Sequence, residues 1–172
     1  APSPTPTEEV IATTRVWERV AAHLEEAARE SDTPILPGAP VVVTGGTGFL
    51  GRALVRQLLS EGEAVRVLAR RKPAPWETEA GADYRVADLG GGIDPALLEG
   101  ARCVVHAAAE TAGGWTEHER NSVGATTNVI RAAAAAGVKQ VIHVSSMAVL
   151  QAGGGQPLSE QTPLEPSPRS RG

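Results

Sequence analysis

Three glycines with the spacing G-x-x-G-x-x-G lie where a phosphate group could bind. Gly45, Gly48 and Gly51 follow the apolar residues Val41, Val42 and Val43 and run into an apolar pattern of helical period. At a strand-to-helix turn, the first glycine permits the bend, the second lets a diphosphate approach the backbone, and the third lets helix and strand pack closely. The helix N-terminus adds unpaired N–H groups and partial positive charge. The candidate cofactor-binding residues here are Gly45, Thr47, Gly48, Phe49, Leu50 and Gly51.

Basic residues follow the second predicted strand, where a dinucleotide would place its adenosine ribose. The sequence there reads Arg70-Arg71-Lys72, and no Asp or Glu lies between residues 64 and 76. An acid at this place would bind the ribose hydroxyls of NAD, whereas cations suit the 2′-phosphate of NADP. Arg70 and Arg71 therefore indicate NADP as the preferred cofactor, with NAD as the alternative. A solvated basic turn is the interpretation that involves no ligand.

Two other strand ends carry side chains suited to a nucleotide or a substrate. Asp88, followed by Leu89, could accept a hydrogen bond from the adenine amino group, or it could simply form a turn. Ser145 and Ser146 follow the fifth strand, where a hydroxyl can hold a substrate carbonyl or alcohol for hydride transfer. Ser146 is the candidate catalytic residue.

The end of the fourth strand has small side chains. Ala107, Ala108 and Ala109 would let the backbone pass close beside a cofactor. His106, which precedes them, is predicted to pack against neighbouring elements rather than to act in catalysis. The three alanines therefore complete the set of candidate cofactor-binding residues, together with Ser145 at the end of the fifth strand.

These residues need a scaffold in which strands and helices alternate. Apolar runs predict strands at 41–44, 64–69, 83–87, 103–106 and 140–144; helical patterns cover about 49–61 and 117–136, with a short helix near 95–98. Such alternation is typical of a parallel sheet covered on both faces. The predicted fold is α/β, a doubly wound Rossmann sheet of strand order 3-2-1-4-5. Ligands of such sheets lie at the carboxyl ends of the strands, here at the switch between strands 1 and 4.

The two ends of the chain differ from this central part. Residues 1–40 contain a Pro-rich arm and an amphipathic helix to about Glu30, which could pack on the protein itself or dock on a second subunit. Residues 41–150 are the predicted NAD(P)-binding domain, and residues 151–172 form a Gly/Pro/Ser-rich loop. Strand 5 would leave an exposed apolar sheet edge. We therefore expect the chain to be the N-terminal part of a longer protein, lacking the C-terminal strands and the substrate lobe.

Composition argues against several kinds of partner. The net charge is −4 with no block of like charge, which disfavours nucleic acid or an anionic membrane surface. No apolar stretch is long enough to span a bilayer, and the N-terminus has no signal layout. A single cysteine, Cys103, fits a reducing cytoplasm, and with four scattered histidines it argues against a metal site. We expect a cytoplasmic protein that takes a small-molecule substrate and either forms a homodimer or pairs with the remainder of its own chain.

Three motifs together resemble the extended short-chain dehydrogenase/reductase family, which includes nucleotide-sugar epimerases and dehydratases, hydroxysteroid dehydrogenases and dihydroflavonol-type reductases. They are the phosphate turn at 44–51, the strand 4 signature at 105–109 and the strand 5 signature at 137–146. The resemblance covers residues 41 to about 165. It implies that Ser146 is the catalytic serine of the pair and that Arg70 binds the phosphate of NADP.

The sequence departs from that family's pattern in two places. Near the start of the long helix the family carries an Asn, whose place is held here by Ser122, with Asn121 one residue earlier. The family's acid–base pair is a Tyr followed four residues later by a Lys. That pair does not occur, because the only tyrosine is Tyr84 and the only lysines are Lys72 and Lys139. We therefore expect the chain to be inactive alone.

Two classes of function remain open. The parent protein is either an NAD(P)-dependent oxidoreductase, epimerase or dehydratase acting on a hydroxyl or carbonyl substrate, or a non-catalytic dinucleotide-binding sensor or interaction subunit with the same fold. In the first class, Ser146 orients the substrate and a tyrosine beyond the chain transfers the proton. The cluster His118-Glu119-Arg120 is interpreted as a solvated helix face rather than a substitute acid–base group.

Overall fold

A computed structural model describes residues 38–150 and 158–164 and contains one five-stranded parallel sheet. Its strands are β1 Val41–Thr44, β2 Val65–Ala69, β3 Asp83–Val86, β4 Cys103–His106 and β5 Val141–His143. They lie in the order β3-β2-β1-β4-β5, and every neighbouring pair is parallel. The predicted Rossmann topology is therefore confirmed.

Helices connect the strands of this sheet. Helix α1 Phe49–Ser60 joins β1 to β2, and a longer helix precedes β5. The longer helix begins as α2 Trp115–His118, continues through a π-helical segment Glu119–Gly124 and becomes α3 Ala125–Ala135. Short 3-10 turns occupy Pro75–Glu77, Leu89–Gly91 and Pro95–Leu98.

The element bounds follow the predicted ones to within about two residues, and the differences have local causes. The long helix begins at Trp115 rather than 117, because the Glu117 carboxylate accepts a hydrogen bond from the Gly114 N–H at 2.9 Å and so caps the first turn. The π-helical segment was not predicted. β5 is shorter than expected and covers Val141–His143.

Two apolar cores lie on the two faces of the sheet. Val42 of β1 packs in one core with Val129 of α3, whereas Val41 and Val43 pack in the other with Val55 of α1. Side chains of a strand alternate between faces, so β1 contributes to both cores and all of its side chains are buried. Burial on both faces explains the unbroken apolar run of this central strand.

The described residues fall into two compact units, one ending at Val144 and the other beginning at Ser145. The second unit contains a 3-10 turn Met147–Val149 and an antiparallel bridge between Leu150 and Leu164. The predicted N-terminal helix and most of the predicted loop at 151–172 lie outside the described residues. Within the residues that the structure describes, no helix has both the length and the apolar character needed to cross a membrane.

Candidate functional site

A cleft of about 540 Å³ lies at the carboxyl ends of the strands. Its wall includes the residue that directly follows each of three strands, namely Gly45 after β1, Arg70 after β2 and Ala107 after β4. This is the location expected from the switch between strands 1 and 4. The cleft brings together twelve of the candidate residues, namely Gly45, Thr47, Gly48, Phe49, Leu50, Gly51, Arg70, Asp88, Leu89, Ala107, Ala108 and Ala109. That these residues bind a cofactor remains a prediction.

At two positions of the glycine turn, neighbouring backbone atoms leave no room for a side chain. Gly45 has φ +70°, and a Cβ there would lie 2.8 Å from the backbone of both Ala107 and Ala108. At Gly51 a Cβ would lie 2.1 Å from the carbonyl oxygen of Gly45. Both distances are below ordinary contact, so the turn, the start of α1 and the loop after β4 can be this close only because these residues are glycine.

The start of α1 presents backbone N–H groups to the cleft. Gly48 is the N-cap residue and no side chain caps the helix, while the first intrahelical bond runs from the Arg52 N–H to the Gly48 carbonyl at 2.9 Å. The N–H groups of Phe49 and Leu50 precede that bond and have no acceptor within the helix. No acidic residue lies in the first turn. This geometry suits an anion, so the residues present fit the diphosphate of a dinucleotide.

The two predicted phosphate-binding arginines differ in their surroundings. Both border a smaller pocket of about 420 Å³ beside the cleft. Arg71 makes a two-pronged ion pair with Glu77, with N–O distances of 2.8 and 2.7 Å. Arg70 is exposed and forms no ion pair among the described residues. Arg70 is therefore the more available cation of the two.

The acid that engages Arg71 lies just beyond the segment that sequence reasoning treated as acid-free. The bond from Arg71 and a second one from the Ala74 N–H, at 2.7 Å, lower the pKa of Glu77 to about 2. Glu77 is therefore ionised at neutral pH. The loop between β2 and β3 thus neutralises one of its own cations.

Four side chains form a hydrogen-bonded chain, called the polar chain below, and three of them, Asp88, Glu110 and Asn121, line the cleft. The Asp88 carboxylate pairs with Arg120 at 2.5 Å, Arg120 donates to the Asn121 amide oxygen at 2.9 Å, and the Asn121 amide nitrogen donates to Glu110 at 2.7 Å. Arg120 lowers the pKa of Asp88, and Asn121 lowers that of Glu110. The Asp88 carboxylate, the predicted adenine acceptor, is therefore already engaged by Arg120, and the Asp88 carbonyl accepts a hydrogen bond from the Gly91 N–H at 3.0 Å, which closes a turn.

Sequence reasoning missed Glu110, interpreted Arg120 as part of a solvated helix face, and left the role of Asn121 open. Asn121 and Ser122 both bond Glu110, since the Ser122 hydroxyl accepts from the Glu110 N–H at 3.0 Å. Of these two helix residues, Asn121 lines the cleft. Both lie in the π-helical segment, an irregularity often found at functional sites. The position of Glu110 directly after the alanine run was the available signal.

His106 and Tyr84 are hydrogen-bonded to other residues of the fold. His106 is 1% exposed, as predicted for a packed residue, and its two ring nitrogens meet Thr44 and Thr126. Burial, with a smaller contribution from His143, lowers the pKa of His106 to about 4. The Tyr84 hydroxyl accepts a hydrogen bond from the Glu79 N–H at 2.9 Å, so it supports the loop before β3.

The serine pair follows β5 in the second unit. There the Ser146 carbonyl accepts a hydrogen bond from the Val149 N–H at 3.2 Å. The catalytic role of Ser146 and the cofactor contact of Ser145 remain predictions. Among residues 38–150 and 158–164, no group of three or more His, Cys, Asp or Glu side chains is arranged to hold a metal ion.

A doubly wound sheet with a glycine-framed, uncapped helix N-terminus at its switch point belongs to the class of dinucleotide-binding Rossmann domains. Comparison with known families agrees with this class. Residues 41–171 match the NAD dependent epimerase/dehydratase family, and the chain belongs to that family. The resemblance to extended short-chain dehydrogenases/reductases is confirmed.

Individual relatives are named as reductases. A putative dihydroflavonol 4-reductase of Synechocystis sp. is 35% identical over 72% of this chain and 38% of its own length. A 4-hydroxy-2-methyl-3-oxo-4-farnesyl-3,4-dihydroquinoline-1-oxide ketoreductase of Stigmatella aurantiaca is 38% identical over 74% and 39%. The solved structure of MoeE5 in complex with UDP-glucose and NAD is 30% identical, with a TM-score of 0.65, over 74% of this chain and 42% of that one. The chain thus spans about two-fifths of the length of these proteins.

Proposed function

We propose that the chain is the NAD(P)-binding portion of an oxidoreductase, epimerase or dehydratase that acts on a hydroxyl or carbonyl substrate. The observation that carries this proposal is the cleft itself, in which unpaired backbone N–H groups at the start of α1 face a space framed by Gly45 and Gly51. The names of the relatives support the class of reaction, and the NAD complex of MoeE5 supports the class of cofactor. Because the chain spans about two-fifths of those relatives, the reaction is proposed for the whole protein.

Each part of the cleft has a distinct role in this proposal. The backbone N–H groups of Phe49 and Leu50 donate to the diphosphate. The side chains of both residues are exposed. Leu89 offers an apolar surface to the adenine, and the loop at 107–109 leaves room for the ribose. Outside the cleft residues, Ser146 is proposed from the sequence alone as the residue that hydrogen-bonds the substrate oxygen. When bound, the cofactor supplies hydride-transfer chemistry.

We propose that this chain alone binds the cofactor without turnover, because its sequence contains no Tyr-x-x-x-Lys pair. The second candidate function is a non-catalytic dinucleotide-binding sensor or interaction subunit, because the same fold can serve either role. Turnover by the complete protein distinguishes the two. Consumption of NADPH with a carbonyl substrate, or epimerisation of a sugar nucleotide, would support the enzyme, whereas tight binding without either would support the sensor.

We further propose that NADP is preferred over NAD, through Arg70. This cation lies at the end of β2 and borders the smaller pocket, and a guanidinium forms strong charged hydrogen bonds with a phosphate. Glu110 opposes the preference, since its carboxylate lines the same cleft and the charge of Arg70 contributes to lowering its pKa. An acid there would repel a 2′-phosphate and could accept a ribose hydroxyl instead. Binding of both cofactors, with NADP the tighter, is the expected outcome.

Separate calorimetric titrations of the purified chain with NADP and NAD test both proposals. Arg70→Ala should weaken NADP binding by about 10-fold or more and leave NAD nearly unchanged, because a charged hydrogen bond is lost only with the phosphate. Arg85→Ala is the matched control, since Arg85 is exposed on β3 and pairs with Asp83. Equal affinity of the wild type for the two cofactors would remove the NADP preference. Absence of binding by either would overturn the proposed function.

A further inference from the structure

A row of polar side chains crosses the sheet at the carboxyl ends of three neighbouring strands. Thr44 of β1 is in register with His106 of β4, and His106 is in register with His143 of β5. Thr44 and His106 are 0% and 1% exposed, within strands whose other side chains form the apolar cores. Buried polar groups are kept in a fold when they are hydrogen-bonded.

Both ring nitrogens of His106 are hydrogen-bonded, each to a threonine on a different element. Nδ1 lies 2.7 Å from the Thr44 hydroxyl, and Nε2 lies 3.0 Å from the Thr126 hydroxyl on α3. The Thr126 hydroxyl also bonds the Ser122 carbonyl at 2.7 Å, and the Thr44 hydroxyl bonds the Ala108 N–H at 3.3 Å. The ring thus joins the first strand to the long helix.

These bonds determine which nitrogen of His106 carries the proton. Thr126 donates its only hydroxyl hydrogen to the Ser122 carbonyl, so toward His106 it must accept, and Nε2 must bear a hydrogen. Thr44 accepts from the Ala108 N–H and keeps its own hydrogen to donate to Nδ1. The network is therefore complete only with a neutral ring in the Nε2–H tautomer.

The two threonine partners of this ring, and the Ala108 N–H that bonds one of them, belong to segments that line the cleft. Thr44 immediately precedes Gly45, and Ala108 belongs to the loop on which the glycine turn rests. Thr126 bonds the π-helical segment through the Ser122 carbonyl, next to Asn121. A rigid aromatic ring with one acceptor and one donor fixes both the distance and the orientation of the two sides.

We propose that His106, as the neutral Nε2–H tautomer, is a positioning residue that holds the glycine turn and the Asn121 segment at the separation a dinucleotide needs. This inference rests on the proposed cofactor-binding function and adds to it a residue that need not touch the cofactor. His143 stacks on the His106 ring with centroids 5.3 Å apart, so a proton on either ring disfavours one on the other. The other side chains that bond the His106 ring are those of Thr44 and Thr126, and neither carries a charge.

The tautomer is tested first, without any cofactor. In ¹⁵N NMR spectra of the wild-type chain at neutral pH, His106 should show a protonated Nε2 and an unprotonated Nδ1. This pattern should persist as the pH is lowered through the range in which an ordinary histidine titrates, because burial lowers the pKa of His106 to about 4. An Nδ1–H tautomer, or a charged ring at neutral pH, would overturn the proposal. If His106 only filled space, its proton would not need to be on one particular ring nitrogen.

Cofactor affinity is tested next with variants that remove the hydrogen bond between His106 and Thr126. His106→Asn keeps an acceptor near Thr44 and loses the donor to Thr126, whereas Thr126→Val removes the same bond from the other side. Each should weaken NADP and NAD binding by about 10-fold, and the double variant should be no weaker than either single one, because the same bond is lost. Thr127→Val is the matched control, since Thr127 makes an equivalent bond to the Val123 carbonyl at 2.9 Å but does not bond His106.

The outcomes separate this inference from the proposed function. If the wild type binds no dinucleotide, the proposed function fails, while the tautomer experiment still decides the state of His106. If the wild type binds and folded His106→Asn or Thr126→Val binds equally well, the positioning role fails. Additive losses would also overturn it. Should His106→Asn not fold, the comparison of Thr126→Val with Thr127→Val carries the test.

Discussion

The glycine turn and the polar chain line the same cleft, but they are built in opposite ways. The turn, residues 45–51, offers backbone N–H groups and needs the absence of side chains at Gly45 and Gly51. The polar chain offers only side chains, which come from the loops after β3 and β4 and from the long helix. The turn therefore depends on covalent geometry over seven residues, whereas the polar chain depends on how distant segments pack.

This difference predicts how each region tolerates change. A close backbone contact cannot be relieved by a rotamer, so a single added methyl group should displace the whole turn. Exposed ion pairs and hydrogen bonds can rearrange with water, so a single substitution in the polar chain should have a smaller effect. His106 bonds Thr44 beside the turn and Thr126 beside the polar chain, which makes it the joint between the two regions.

The largest effect is expected for Gly51→Ala. Its Cβ would lie 2.1 Å from the Gly45 oxygen, so the turn must move. We expect a stability loss of about 3 kcal/mol and a loss of dinucleotide affinity of about 100-fold, as for a displacement of about 1 Å at a site. Gly124→Ala is the control, because Gly124 is also a helical glycine with negative φ, and its Cβ would lie at an ordinary contact distance of 3.4 Å from the Glu119 oxygen. Urea unfolding and calorimetry give the two quantities, and a Gly51→Ala variant that binds normally would contradict the backbone account.

A pH-dependent loss of stability is expected from His106 at the joint. Its pKa is about 4 in the folded chain and about 6.5 when unfolded, so the unfolded state binds the extra proton first as the pH falls. Stability should be full above pH ~6.5 and decline by up to about 3 kcal/mol toward pH ~4. Urea unfolding of the wild type and of His106→Gln across this range isolates the contribution, since the carboxylates titrate in both. If the free energy of unfolding changes with pH in the same way in both proteins, protonation of His106 is not coupled to folding.

A moderate effect is expected for Glu110→Gln in the polar chain. The change removes a negative charge that lines the cleft and acts on Arg70. The ratio of NADP to NAD affinity should rise by about 5-fold, an effect of the size expected for one partly screened charge. Glu119→Gln removes the same charge from an exposed position on the long helix and should leave the ratio unchanged. A fall in the ratio would mean that Glu110 assists phosphate binding.

The smallest effect is expected for Arg120→Gln. Arg120 and Asp88 are both about half exposed, at 48% and 49%, and such surface pairs add little to stability. Cofactor affinity should change by about 2-fold or less, because the bond from the Gly91 N–H to the Asp88 carbonyl, at 3.0 Å, holds the turn without Arg120. Asp88 has a lowered pKa, so the pair stabilises above the ordinary pKa of 3.8 and loses this effect as the pH falls below it. A change as large as that of Gly51→Ala would show that the polar chain, like the turn, acts as one rigid unit.

The sequence by itself determined the sheet, its order and the place of the cleft. Runs such as Val41, Val42 and Val43 specify buried parallel strands, and the spacing of Gly45, Gly48 and Gly51 specifies the turn. These features follow from contacts among residues near one another in the chain, or from burial that side-chain type alone dictates. Family membership could be inferred for the same reason.

Tertiary structure alone decided which polar side chains are available. Arg70 and Arg71 look equivalent in the sequence, yet Glu77 engages only Arg71. Asp88 and Arg120 are 32 residues apart, and Thr44 and His106 are 62 apart. Hydrogen bonds and ion pairs require distances near 3 Å, which are set by how the loops and the long helix pack rather than by local sequence.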